Sequence, residues 1–357
     1  MSSSTLSVGI VGLPNVGKST LFAALTKKQV DIANYPFCTI EKNVGIVRVP
    51  DERLQKLTEL FHSEKTIPTV IEFVDIAGLV RGANKGEGLG NQFLAEIREV
   101  KAILQVVRCF EDSDIAHVEE SIDPLRDIEI IETELLLKDL DTVKKRIFKA
   151  EKEIRSEDKK AKAQYEILLQ LQSALSNGTT AFKFMEQNEG SEKVVLELQL
   201  LSSIPILYIL NCKGDKAPKE VEEKIKSMGS LFVALNVKDE FEYAGFTLEE
   251  MEELGAKERR LPLLITKAYE MLNLITFFTT GSDETRAWTI EKGDLAPVAA
   301  GVIHTDFRDK FIKAVVVQWD KLIKAGGLAE AMAQGLIRTE GKDYVVKDGD
   351  VIEVKHG

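Results

Sequence analysis

Cysteine is scarce in this chain. Cys38, Cys109 and Cys212 lie far apart, with no CxxC spacing. So sparse and odd a set argues against a disulfide framework or a zinc site and fits a reducing cytoplasm. No run of about 18 apolar residues is present, so no transmembrane helix is expected. The N-terminal MSSSTL has no basic stretch ahead of an apolar core, which argues against a secretory signal. Net positive charge is missing too. The formal charge is −11, which opposes wholesale coating of nucleic acid but leaves room for a local basic surface. There is no low-complexity tract and no internal repeat. What remains is a chain of 357 residues with the apolar and charged fractions of a soluble protein, long enough for two or three domains.

Ser7–Val11 is a short apolar run rich in β-branched residues, followed by Gly12. It reads as a buried strand. Similar runs recur at Thr69–Val74, Ala102–Val107 and Ile204–Leu210, with helical stretches such as Ser19–Leu25 and Asn91–Val100 between them. Strands alternating with helices predict a mainly parallel sheet covered on both faces.

Between the third and fourth runs the pattern changes. Ile131, Leu135, Leu140, Val143, Ile147, Ala150 and Ile154 settle into alternating steps of three and four, the spacing of a coiled-coil seam. After the polar break at 156–160, Tyr165, Leu168, Leu169 and Leu175 can share a helix face, interrupted by Gln172. This predicts an antiparallel helical hairpin inserted into the α/β domain, ending near Asn177–Gly178. Its first arm and tip carry Lys144, Lys145, Arg146, Lys149, Lys152, Arg155, Lys159, Lys160 and Lys162. A solvated face and an RNA contact surface both fit such a run.

From about Thr276 come short strand-like pieces at 275–279, 286–290, 344–346 and 351–354, with a helix containing Asp306 to Ile312 between them. They suggest a small α+β domain. The expected boundaries are 1–125 with 200–275 for the nucleotide domain, 126–199 for the helical insertion and 276–357 for the last domain.

Gly12–Ser19 reads GLPNVGKS, a GxxxxGKS motif directly after a strand and before a helix. Glycines let backbone N–H groups curl around phosphate oxygens, and the helix N-terminus adds a favourable dipole. Asn15, Val16, Gly17, Lys18, Ser19 and Thr20 are the expected phosphate contacts. Lys18 would pair with the β- and γ-phosphates, and the Ser19 hydroxyl would bind Mg²⁺. Asp75-Ile76-Ala77-Gly78 is a DxxG at a strand end. Asp75 would supply a carboxylate to the Mg²⁺ shell, and Gly78 an N–H to the γ-phosphate. Thr39 sits where a switch threonine would reach the metal, although a turn threonine explains it as well. Together these indicate a nucleotide switch rather than a metabolic kinase.

Many GTPases orient the attacking water with a glutamine just after DxxG; here that position is Leu79. Basal hydrolysis should then be slow unless another group positions the water. His117, after the third strand, is the candidate, since imidazole can orient or deprotonate water near neutral pH. A merely solvated loop histidine is the competing reading.

The stretches GLPNVGKSTLF, NYPFCTIEKNVGIVRVPDERL, DIAGLVRGANKGEGLGNQFL and VVRCFEDSDIAHV resemble the YchF family of Obg-like ATPases, which are TRAFAC-class P-loop NTPases. RAWTIEKGDLAPVAAGVIHTDF and GKDYVVKDGDVIEV are similar to that family's C-terminal TGS domain, and Gly82, Gly86, Gly88 and Gly90 match an Obg-type switch II. The resemblance covers essentially the whole chain. It implies an α/β G domain with an inserted α-helical coiled coil and an α+β TGS domain. It also implies a cytoplasmic, Mg²⁺-dependent ATPase acting in translation or stress. The expected partners are ATP, the ribosome (large subunit or whole) and RNA, bound through the helical and TGS domains, with no membrane and no DNA. It assigns Leu79 as the family's hydrophobic replacement of glutamine and His117 as its catalytic histidine.

The base reader is expected in Ile209–Asp215, ILNCKGD. A carboxylate reads guanine by accepting from N1–H and the 2-amino group, and adenine offers an acceptor there instead. If Asn211 holds the strand-end asparagine position of Asn-Lys-x-Asp, Gly214 stands where the carboxylate belongs, and guanine reading is lost. If the frame slips by one, Asp215 regains it. The first frame is favoured. Where the YchF pattern is similar to Asn-x-x-Glu, this chain has Gly214. Two alternatives stand beside an ATPase switch: a GTP-hydrolysing translation factor read by Asp215, and an RNA- or ribosome-binding module whose nucleotide is structural.

Overall fold

The computed structural model describes residues 6–27, 43–76, 91–111, 122–153, 159–214, 216–253 and 259–357. Thr39, Gly78, Leu79, His117, Ile154, Arg155 and Asp215 lie outside them, as do the glycines at 82–90. The chain divides into two compact units. One gathers Glu72–Leu261 with the segment that carries the first strand and helix. The other joins Ile46–Ile71 to Pro262–Gly357.

One six-stranded sheet is built from β1 (Ser7–Val11), β2 (Val44–Arg48), β4 (Val70–Asp75), β5 (Ala102–Arg108), β6 (Ile206–Asn211) and β7 (Leu231–Leu235), in the order β2-β4-β1-β5-β6-β7; all of it belongs to the first unit except Ile46–Arg48 of β2 and Val70–Ile71 of β4. Pairing from β4 through β7 is parallel, with Ile10 opposite Asp75 and Arg108 opposite Asn211. Every residue of β1 and β5 is buried, as strands covered on both faces require. Helices α1 (Lys18–Thr26), α3 (Asn91–Glu99), α8 (Lys219–Ser227), α9 (Val237–Glu242) and α10 (Leu248–Glu253) accompany the sheet. Among the described residues, no helix is long and apolar enough to cross a membrane.

Between β5 and β6 the chain inserts α4 (Pro124–Glu153), α5 (Lys159–Ser176), α6 (Ala181–Gln187) and α7 (Glu192–Glu197). Val143, Ile147 and Ala150 of α4 share a core with Leu168, Leu171 and Leu175 of α5, and Tyr165 Oη of α5 donates to Glu151 Oε1 of α4 at 3.2 Å. Two positions of the expected seam change. The buried stripe of α4 runs through Asp139, with Leu140 only partly buried. Asp139 accepts the Leu201 N–H at 2.8 Å and the Ser202 N–H at 2.7 Å, so a carboxylate can sit in the stripe. Burial raises its pKa against the pull of those bonds. On α5, Leu171 is fully buried and Leu169 is exposed, because the face turns with the 168, 171, 175 spacing.

The second unit holds α2 (Glu52–Phe61), β3 (Lys65–Ile67), α11 (Leu261–Met271, of which only Leu261 belongs to the first unit), β8 (Leu274–Thr280), β9 (Glu284–Glu291), α12 (Ala296–Ile303), α13 (Thr305–Asp309), β10 (Phe311–Gln318), α14 (Trp319–Ala325), α15 (Leu328–Ala333), β11 (Arg338–Glu340) and β12 (Asp350–His356). Its sheet order is β11-β10-β12-β8-β9-β3. Asp51 caps α2 by accepting the Arg53 N–H at 2.9 Å, and the Arg53 guanidinium also pairs with Asp348. Leu54 and Leu57 of α2 pack with Phe278, Val317 and Leu322. Two expectations fail here. The helix expected through Ile312 stops at Asp309, and Phe311 opens a strand whose Ala314, Val316 and Val317 are buried. The strand expected at 344–346 is a single bridge, Val345 to Leu295, since Tyr344 turns its hydroxyl to buried Asp350 at 2.7 Å.

Candidate nucleotide site

The site forms where β1 ends. Gly12 has φ 153°, and a Cβ there would lie 2.6 Å from the Val106 carbonyl oxygen of the neighbouring strand. Asn15 has φ 60°. Gly17 has φ 105°, and its Cβ would meet Asn211 Nδ2 at 2.6 Å. A side chain at either glycine would be strained and would collide with its neighbour. The loop therefore curls tightly, and α1 starts at once, with the Leu21 N–H on the Gly17 carbonyl at 2.9 Å. Gly17 offers no side-chain cap to α1, which leaves first-turn N–H groups for an anion.

Lys18 Nζ donates to the Leu13 carbonyl at 2.7 Å, folding the side chain back across the loop. Burial lowers the Lys18 pKa, and the Asp75 charge raises it; burial raises the Asp75 pKa, and Lys18 lowers it. Each therefore lies in the other's field, an ammonium and a carboxylate at the mouth of one loop. Asp75 is set at its strand end by its own N–H on the Asn43 carbonyl at 2.9 Å and by the Ile76 N–H on the Ile10 carbonyl at 3.3 Å. Asn15, Ser19 and Thr20 are exposed. The Ser19 hydroxyl and Asp75 carboxylate are hard oxygen donors of the kind Mg²⁺ takes one or two of, leaving its other positions for phosphate and water.

Asn211 ends β6 and is buried. Its Nδ2 donates to the Val16 carbonyl at 2.9 Å, and its Oδ1 accepts the Val237 N–H at 3.2 Å. Its side chain thereby ties the phosphate loop to the segment after β7, and its carboxamide keeps a second N–H donor beside the expected contact to the base. Gly214 has nothing within 4 Å of where a Cβ would be. The structure thus gathers Asn15, Val16, Gly17, Lys18, Ser19, Thr20, Asp75 and Asn211. Two participants were missed: the Leu13 carbonyl, which no side-chain pattern could mark, and Val237. The signal for Val237 was Asn236, whose carboxamide caps α9 through the Lys238 N–H at 3.0 Å.

A loop that tolerates only glycine at two of its turns, with its lysine in the field of a strand-end carboxylate, defines a P-loop nucleoside triphosphatase of the G-domain type. Residues 7–170 match the family profile described as "50S ribosome-binding GTPase". Residues 274–357 match the YchF-GTPase C-terminal profile, described as "Protein of unknown function (DUF933)". A Bacillus subtilis protein named ribosome-binding ATPase YchF is 48% identical over 98% of this chain and 99% of its own. One of the same name from Escherichia coli O157:H7 is 46% identical over 96% and 97%. The solved structure of the Schizosaccharomyces pombe YchF GTPase superposes with a TM-score of 0.88 at 37% identity, covering 99% of each chain. The chain belongs to the YchF family.

Proposed function

We propose that this chain binds and hydrolyses ATP with Mg²⁺ and works as a cytoplasmic switch on the ribosome, in translation or stress. The observation that carries this reading is the phosphate loop, with Lys18 drawn over Leu13 beside Asp75. Full-length relatives named as ribosome-binding ATPases support the nucleotide and the partner. Lys18 would neutralise charge on the transferred phosphoryl group. Ser19, Thr39 and Asp75 would hold the metal, and the Gly78 N–H would meet the γ-phosphate. His117 would orient or deprotonate the attacking water in place of Leu79.

The helical insertion is the proposed RNA contact. Lys144, Lys145, Lys149 and Lys152 are exposed on one side of α4, in a chain whose net charge is −11. Phe148 between them is 60% exposed, with Lys152 Nζ 4.3 Å from its ring centre, a pairing suited to phosphate and unstacked bases. The TGS-like domain is a second proposed contact. The working division remains 1–125 with 200–275, 126–199 and 276–357, with α2 and β3 packed into the body of the last.

A GTP-hydrolysing factor read by Asp215 is the second reading, and the GTPase descriptions among the matches favour it. Titrating ATP and GTP side by side with Mg²⁺ separates the two. Tighter ATP binding is expected from Gly214 at the carboxylate position, and tighter GTP binding would reverse the assignment.

A further inference from the structure

Sequence separation hides a pairing of two of the three cysteines. Cys109 directly follows β5 and Cys212 directly follows β6, and these parallel neighbours are in register to their last pair, Arg108 and Asn211. The ladder continues past that pair. The Cys109 N–H donates to the Asn211 carbonyl at 2.8 Å, and the Cys212 N–H to the Leu235 carbonyl at 2.9 Å. Side chains two apart along a strand share a face. Cys109 therefore joins Val107, and Cys212 joins Leu210, on the face that packs against Ile128 and Val221, where Cys109 lies against the cluster that holds buried Cys212. Both thiols are free, and both line one open cavity with Phe110, Glu111, Lys213 and Gly214.

We propose that Cys109 and Cys212 form a peroxide-oxidisable dithiol, whose disulfide pulls the β5 and β6 ends together and weakens nucleotide binding. The step balances with a hydroperoxide as oxidant. The Cys212 thiolate attacks the peroxide O–O bond, giving a sulfenic acid and, with hydrogen peroxide, hydroxide that leaves as water. The Cys109 thiol then displaces the sulfenic oxygen as a second water, so two thiols are oxidised and one peroxide is reduced. Two features support the order. Each Sγ lies over its own strand, Cys212 donating to the Leu210 carbonyl at 3.4 Å and Cys109 to the Val107 carbonyl at 3.9 Å, and the interaction between the two thiols lowers the Cys212 pKa and, with burial, raises the Cys109 pKa. The more acidic thiol is the attacking one, and the cavity that both cysteines line gives the oxidant its path.

The link to nucleotide is covalent and short. Cys212 adjoins Asn211, whose two side-chain bonds hold Val16 and Val237 at 2.9 and 3.2 Å. Closing the pair to the roughly 2.05 Å of a disulfide loads the backbone at 109 and 212, and with it that tether. This consequence rests on the nucleotide reading above, while the disulfide itself does not.

The test uses the full chain carrying Cys38→Ser, treated with hydrogen peroxide and digested without reduction. A Cys109–Cys212 linked peptide is expected by mass spectrometry. ATP affinity should fall several-fold on oxidation, recover with dithiothreitol, and not respond in a Cys38→Ser, Cys109→Ser double variant. No linked peptide, or a linked protein with unchanged ATP affinity, overturns the proposal. Failure of the reduced protein to bind ATP would instead overturn the nucleotide reading, and the linked peptide is scored independently of that result.

Discussion

At the scale of single residues, Asn211 has the most consequences. Replacing it with alanine removes the bonds to the Val16 carbonyl and the Val237 N–H. It leaves buried backbone groups unpaired, at about 1–3 kcal/mol. Asn211→Ala should therefore lower the thermal midpoint and weaken ATP binding by about tenfold or more, roughly 1.4 kcal/mol. Unchanged affinity in a calorimetric titration would remove the tether from the account. Gln105 shows the reverse case. It lies in the middle of β5, 1% exposed, and neither its Oε1 nor its Nε2 has a partner among the described residues. Gln105→Met should stabilise the protein by about 1–2 kcal/mol, since it removes the desolvation cost of that unpaired carboxamide. A lower unfolding midpoint in urea would contradict this.

At the scale of elements, the contacts of α4 and α5 supply the tests. Leu171 is fully buried between them and Leu169 is 41% exposed. Leu171→Ala should cost about 2–5 kcal/mol through the lost contacts and the cavity left behind, and Leu169→Ala well under that, both read by denaturant unfolding. Equal costs would refute the assignment of faces. The bond from Tyr208 Oη of β6 to Glu132 of α4 at 2.5 Å gives a pH signature. Burial raises the Glu132 pKa, although Tyr208 pulls it down. The associated stability is fully present below the unfolded pKa and lost as pH rises through the folded one. Glu132→Gln keeps an acceptor for Tyr208 and abolishes the titration. Its stability relative to the parent should increase from acid to neutral pH, and a constant difference would show that Glu132 does not titrate as described.

These elements also show what sequence makes legible. The β1–loop–α1 unit was readable because GxxxxGKS between a strand and a helix fixes local geometry by sterics. The insertion was readable from its period, but its face was misread at two positions, where Asp139 and Leu171 replace Leu140 and Leu169. Periodicity sees apolarity, whereas a carboxylate is buried at 139 by N–H groups more than sixty residues away. The tether made by Asn211 was not readable, because its protein partners Val16 and Val237 come from distant parts of the chain.

At the scale of the molecule, the unforeseen fact is that Ile46–Ile71 belongs with Pro262–Gly357. β3 pairs in parallel with β9, and Arg53 reaches Asp348. These are long-range pairings that no local pattern announces. Phosphate release with Mg²⁺, measured from ATP and from GTP with and without ribosomes, tests the central claim most directly. The account predicts slow release from ATP that ribosomes accelerate, and much weaker turnover of GTP. Preferential GTP turnover, or bound ATP with no release even on ribosomes, would contradict it.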